Sequence, residues 1–211
     1  MRRLPWGMVP GWACGGRRLS SASDLRARLV AQLQPLAQPP APTPGLIPAA
    51  VLIGFVPHPT GATVILTRRS DLLRSHTGQV ALPGGRCDAG ETPWETALRE
   101  AHEEIGLDPS LVEVLGLSGS YHTVTDFLVT PVVGIVDADF TPVASPDEVA
   151  DVFETPLAFL LDPASWEERQ IQRDGQVRRY WAAEWDGRTI WGATAAILRD
   201  LGERLVGATV A

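Results

Sequence analysis

Residues 85–107 read GRCDAGETPWETALREAHEEIGL, and the reading of this stretch decides the rest of the chain. Its middle is a helix legible from both ends. Thr92 is a natural N-cap, Pro93 falls at the first helical position where its missing N–H costs little, and Glu95 stands three residues after the cap to complete a capping box. Gly106 is the residue expected just past the far end. Within the last turn Glu100, Glu103 and Glu104 share one face, at spacings i, i+3 and i+4. The helix dipole is negative there and favours Lys or Arg, and each like-charge pair costs a few tenths of a kcal/mol on an exposed helix, roughly. Three acids alone are as easily a solvated face as a site. If a cation sits against them, their hard oxygens suit Mg²⁺ or Mn²⁺.

The flanks decide between these readings. Gly85, Glu91, Arg99, Glu100, Glu103, Glu104, Gly106 and Leu107 stand at the spacing G-x5-E-x7-R-E-U-x-E-E-x-G-U, with U a bulky apolar residue. That spacing resembles the Nudix box. All the fixed positions match, and the one soft departure is Ala101, smaller than the usual apolar residue. The resemblance implies a hydrolase of phosphoanhydride bonds on an α/β fold, an α/β/α sandwich with a mixed β-sheet between helices. It further implies that Glu100, Glu103 and Glu104 ligate Mg²⁺ or Mn²⁺, joined by the carbonyl of Gly84, and that Glu91 pairs with Arg99 to orient the loop against the helix. Gly85, Glu91, Arg99 and Gly106 then have structural roles in the box.

Immediately upstream, Ile65 to Gly85 reads ILTRRSDLLRSHTGQVALPGG. This resembles the additional motif of the coenzyme A pyrophosphatase branch of the family, with Thr67, Arg69, Ser70, Arg74, Gly78, Pro83, Gly84 and Gly85 in register. Ile65 replaces a Leu, and Leu82 replaces the Phe before Pro-Gly-Gly, which loses a ring that would shape the pocket. Arg69, Arg74 and Gly78 are the expected substrate contacts, because guanidinium groups grip phosphate oxygens in a fork. His76 lies in the motif's variable part, as a phosphate donor or an exposed residue. Arg68 and Arg86 read as surface.

The resemblance implies a metal-dependent cleavage of coenzyme A or an acyl derivative into 3′,5′-ADP and 4′-phosphopantetheine. The alternatives are another nucleoside diphosphate derivative such as ADP-ribose or NADH, and a nucleotide sensor without turnover. The general base is open: a glutamate of the metal helix, Glu103 or Glu104, or Glu148 in the later segment SPDEVADVFETPL, where Asp147 and Asp151 are neighbours.

Outward from the motifs the pattern is strand-rich. Ala49 to Val56 and Ala62 to Arg68 read as a hairpin, Leu111 to His122 and Phe127 to Val136 as a further pair, and Val149 to Phe153 as a short strand before a helix over Pro156 to Leu161. Arg178 to Trp185 and Thr189 to Trp191 flank Asp186-Gly187, a favoured two-residue turn. Thr194 to Val206 reads as a closing helix. Trp181, Trp185 and Trp191 read as core or rim and not as adenine platforms.

Toward the N-terminus, Asp24 to Gln34 reads as a short amphipathic helix capped by Ser23, with Leu25, Leu29 and Leu33 on one stripe. A Pro-rich linker follows to residue 45, and the catalytic domain is expected over 46–211. Residues 1–23 carry Arg2, Arg3, Arg17 and Arg18 and no acid, which fits a loosely ordered extension or an organellar transit peptide.

With 211 residues, 45% hydrophobic, one substantial core is available. No run is long enough to span a bilayer, and a net charge of −7 disfavours bulk attraction to nucleic acid or anionic membrane. Cys14 and Cys87 give no disulfide framework, and Cys87 is expected to be small and half-buried. The expected partner is a small-molecule nucleotide, without nucleic acid or membrane; a homodimer is admitted, and the expected location is the cytoplasm.

Overall fold

The computed structural model describes residues 22–207 apart from 38, 42, 73–77 and 174. The basic N-terminal stretch through residue 21, with Cys14, lies outside the described residues, as do Arg74 and His76.

The central strand β1 (Ile47–His58) organises the molecule. Successive strand side chains point to opposite faces. Ala49, Ile53 and Phe55 therefore enter one core cluster, while Ala50, Leu52 and Val56 enter another. The first is closed by helices α1 (Ala22–Val30), α3 (Leu157–Leu161) and α4 (Gly192–Gly207), through residues such as Leu25, Leu29, Leu160, Leu198 and Leu201. The second is closed by α2 (Pro93–Ile105) through Ala97, Ala101 and Ile105. Helices thus cover both faces of the sheet. Ala101, the soft position of the box, is fully buried, and its small side chain with that of Ala97 lets α2 lie close on β1.

The sheet is mixed. β1 runs parallel to β7 (Phe127–Val136) and antiparallel to β2 (Gly61–Arg69). Strand β3 (Val80–Ala81) pairs with β2, and β5 (Val112–Leu117) and β6 (Tyr121–His122) pair with β7. β8 (Val149–Pro156) pairs with β2 through a bulge between Arg68 and Arg69. The N-terminal part of β1 pairs with β4 (Gly84–Arg86) instead of β2, and this splice brings Gly84 and Gly85 opposite Val51 and Ala50, under α2. A separate three-stranded antiparallel sheet consists of β9 (Glu167–Arg173), β10 (Gln176–Trp185) and β11 (Arg188–Trp191).

Several expectations change. The first helix ends at Val30, because the chain turns there and Gln34 exchanges two backbone hydrogen bonds with Leu117; Ser23 lies inside the helix. Leu25 and Leu29 are buried in the main core. The strand expected over 111–122 is two strands, interrupted after Leu117, where Ser118 N–H bonds to Pro131. β9 was not expected, since EERQIQR carries no apolar alternation. The turn at Asp186 (φ 49°) and Gly187 (φ 73°) is left-handed at both residues, as a two-residue hairpin requires. No helix among the described residues is long and apolar enough to cross a membrane.

Candidate active site

The end of α2 is fixed by local chemistry. Thr92 Oγ1 accepts from the Glu95 N–H (3.3 Å), and the Glu95 carboxylate accepts from the Thr92 N–H (2.8 Å). Gly106, at φ 68°, closes the helix with its N–H directed at the carbonyls of Ala101 and His102. The remaining helix-end carbonyls are met by a distant loop: the Val143 N–H donates to Ile105 O and the Ser145 N–H to Glu104 O, both at 2.9 Å. This loop precedes Glu148.

Arg99 is the electrostatic hub. Its Nε and Nη2 grip the two Glu91 oxygens at 2.8 and 3.0 Å, and its Nη1 reaches Glu100 (2.9 Å) and Glu103 (3.2 Å). A further bond from Nη2 to the Arg86 carbonyl (3.2 Å) ties the loop to the helix. Glu91 also accepts from the Thr96 hydroxyl (2.8 Å) and the Asp88 N–H (3.0 Å). The guanidinium hydrogen bond, foremost, holds Glu91 down at about 2. Arg99 is in turn raised, chiefly by Glu91.

Glu104 is treated differently. It is 4% exposed, and among the described residues its carboxylate accepts one hydrogen bond, from the Gly84 N–H at 3.2 Å. Burial pushes its carboxyl up to about 8; Gly84 and Arg69 oppose the rise, while Glu100 and Glu148 add to it. Glu100 is also raised, by burial first, against the pull of Arg99. Glu103 is exposed, its side chain 53% accessible. Two poorly hydrated carboxylates thus lie together with too little positive charge.

The glycines under them are needed for space. A Cβ on Gly85 would stand 2.4 Å from Glu100 Oε1, so the carboxylate occupies the room a side chain would take. A Cβ on Gly84 (φ 155°) would meet the Ala50 carbonyl at 2.3 Å. Gly78 adopts φ 68°, beside Arg68 and Asp71.

Arg69 ends β2 with its buried Nε lacking a hydrogen-bond partner among the described residues, close enough to Glu104 to lower its pKa. Glu148 is exposed, yet its charge is felt at both Glu100 and Glu104. Asp147 is exposed as well. Asp151 is engaged elsewhere, accepting from Arg188 Nη2 (2.6 Å) and Nε (3.1 Å). Arg68 pairs with Asp71 at 3.3 Å. Leu82 is 4% exposed and belongs to the core cluster closed by α1, α3 and α4. Cys87 is half-buried against the α2 core, its thiol pushed up by burial.

Trp181 stacks under Arg199 (3.5 Å), Trp185 against Phe159 (4.8 Å), and Trp191 against Tyr180 (5.7 Å), so each is engaged within the chain. Sequence reasoning missed the support Glu91 draws from Thr96 and Asp88, the capping of α2 by the 143–145 backbone, and the capture of Asp151 by Arg188. Only the first of these is close in sequence to the box.

No three acidic, histidine or cysteine side chains among the described residues already form a closed metal cage; Glu100 and Glu103 turn toward Arg99, and Glu104 toward the Gly84 N–H. The donor set still fits a hard divalent ion. Its oxygens are carboxylates, two of them are short of countercharge, and Gly85 keeps the space beside Glu100 clear.

Comparison with known proteins gives a consistent family. The NUDIX domain profile matches residues 48–179. The chain is 46% identical over 154 residues to the uncharacterized Nudix hydrolase NudL of Klebsiella pneumoniae subsp. pneumoniae, covering 72% of this chain and 80% of that protein. It is 45% identical over the same length to its counterpart in Escherichia coli K12. Among solved structures, the MutT protein of Methanosarcina mazei Go1 aligns with a TM-score of 0.51 at 19% identity, over 81% of this chain and 100% of that one. A MutT/nudix family protein of Enterococcus faecalis aligns with a TM-score of 0.52 at 17% identity, over 89% and 75%. These two likenesses concern the fold.

Proposed function

The chain belongs to the NUDIX domain family, as a Nudix hydrolase acting on nucleoside diphosphate derivatives, and from that premise we propose that the derivative it cuts is coenzyme A or an acyl-coenzyme A. Water would be added across the phosphoanhydride: its oxygen joins one phosphorus, the bridging P–O bond breaks, and 3′,5′-ADP and 4′-phosphopantetheine, or its acyl form, are released.

The observation that carries the substrate is Arg69. A buried guanidinium N–H without an acceptor is costly, and this one ends the strand that leads into the upstream motif, beside the buried Glu104. It is a donor suited to a phosphate oxygen. Arg74 and Gly78 follow in the same motif, and coenzyme A offers three phosphates for such donors.

Members of the family generally use a divalent ion such as Mg²⁺ or Mn²⁺. In this chain Glu100, Glu103, Glu104 and the Gly84 carbonyl would hold it, and when bound it neutralises phosphate oxygens and eases loss of a proton from water. The rest falls to side chains. Arg99 and Glu91 hold the loop that carries Gly84 and Gly85 against α2. Glu148 is the proposed base: exposed, it is free to accept a proton from water, whereas Asp151 is neutralised by Arg188.

The test is a panel. The protein is incubated with Mg²⁺ or Mn²⁺ and with coenzyme A, acetyl-coenzyme A, ADP-ribose and NADH, and products are identified by mass spectrometry. Release of 3′,5′-ADP from coenzyme A is expected. Intact coenzyme A alongside cleaved ADP-ribose overturns the substrate. A raised melting temperature without cleavage of any member favours a sensor.

A further inference from the structure

Strand β2 ends at Arg69, and the next residue, Ser70, is polar yet 4% exposed. Its bonds run to one place. The Ser70 N–H donates to the Glu148 carbonyl (2.8 Å), and its hydroxyl donates to the Pro146 carbonyl (3.2 Å) while accepting from the Leu72 N–H (3.3 Å). The other end of the same loop is tied to α2 by the Val143 and Ser145 amides. The segment 143–148 is therefore strung between two anchors, the carboxyl end of the acidic helix and Ser70.

The ladder is irregular at the same point. Arg68 pairs with Asp151, but Arg69 pairs with Val149, so Ala150 is an extra residue on β8. A regular register would bring Ala150 opposite Arg69 and Val149 opposite Ser70. The bulge advances β8 by one position and brings Glu148 to the end of β2. Bulges of this kind re-aim side chains beside functional sites.

We propose that Ser70 is the positioning residue for Glu148: its amide and hydroxyl hold the 146–148 backbone so that the Glu148 carboxylate is presented in one orientation from the end of β2, on the loop that caps the acidic end of α2. The inference rests on the reading of Glu148 as the group that serves the attacking water. It explains why a hydroxyl is buried at a strand end, beside an acid-bearing loop that is otherwise exposed.

The test uses the full chain and four variants, Ser70→Ala, Ser70→Thr, Glu148→Gln and the Ser70→Ala/Glu148→Gln double variant. Hydrogen exchange reads the loop in metal-free protein. Steady-state kinetics with Mg²⁺ and coenzyme A, or ADP-ribose where that is the compound cut, read its consequence. Ser70→Ala should speed exchange of 143–149 about tenfold with the first turns of α2 unchanged, and lower kcat about tenfold with KM within about twofold, the loss of one buried hydrogen bond. Ser70→Thr should restore both, and in the Glu148→Gln background Ser70→Ala should change kcat less than about twofold. Unchanged exchange, or the same kcat loss in both backgrounds, overturns the positioning role. Full activity of Glu148→Gln overturns instead the catalytic reading of Glu148, whatever the exchange data show.

Discussion

Replacing Glu104 by Gln should stabilise the metal-free protein, and the gain should grow with pH. Glu104 is 4% exposed, its carboxylate has a single hydrogen bond among the described residues, from the Gly84 N–H, and burial foremost raises its pKa from 4.5 to about 8. An acid whose folded pKa lies above its unfolded one binds its proton more tightly when folded. Its contribution is therefore most favourable below 4.5 and is lost as pH climbs from 4.5 to about 8. The penalty builds at about 1.4 kcal/mol per pH unit, reaching about 3 kcal/mol at pH 7 and about 5 kcal/mol above pH 8. Gln keeps the shape and the acceptor for Gly84 and never ionises, and it relieves Glu100 of a like charge. For a chain of this size about 3 kcal/mol corresponds to a melting temperature roughly 6–12 °C higher. Thermal melts of both proteins in EDTA, from pH 5 to 9, read the difference directly. Melting curves that coincide near pH 5 and separate steadily to pH 8 are expected. A variant that melts below the parent at pH 8, or an offset independent of pH, would refute the reasoning. Saturating Mn²⁺ should stabilise the parent by about 2.7 kcal/mol at a hundred times Kd and leave the variant nearly unmoved and inactive.

Gly85→Ala should fold, because the added Cβ meets the end of a flexible side chain, Glu100 Oε1 at 2.4 Å, and not backbone; the displaced carboxylate should weaken Mn²⁺ binding at least about tenfold by calorimetry, and unchanged affinity would show that Glu100 has no part in holding the ion. Thr155→Val should raise stability by about 1 kcal/mol in urea unfolding, since the Thr155 hydroxyl is fully buried with no hydrogen-bond partner among the described residues; a loss of stability would mean that the hydroxyl has an acceptor after all.

What was legible in the sequence is what local chemistry determines. Both ends of α2 could be read because a capping box and a left-handed glycine act within four residues, and the β10–β11 turn because Asp186-Gly187 satisfies its own geometry. The period-two burial of β1 emerges from residues that are apolar on both faces, so its existence was readable but its pairing with β4 at one end was not. β9 was invisible because EERQIQR gains its strand from hydrogen bonds to β10, not from burial of its own. At the site, the Glu91–Arg99 pair came with the box. The Ser70–Pro146 and Arg188–Asp151 bonds join residues 76 and 37 positions apart, and no spacing rule carries such a signal.

The acidic turn that reads as an anomaly on one helix is only partly resolved by the fold. Glu91, Glu100 and Glu103 share one guanidinium, Arg99, which spends its strongest contacts on Glu91, the acid farthest from Glu104 along the chain. Arg69 pulls on Glu104, while Glu148 adds to the acidic side at both Glu100 and Glu104. Burial makes this imbalance matter, since like charges interact several times more strongly near a protein interior than in water. A diphosphate, itself anionic, entering such a site would meet repulsion from Glu100 and Glu148, and from Glu104 as well once pH exceeds about 8. Substrate binding is therefore expected to depend on a divalent cation, and EDTA should abolish it. The cation's expected seat is beside Glu104, where burial withholds water and the pull of Arg69 does not offset the cost.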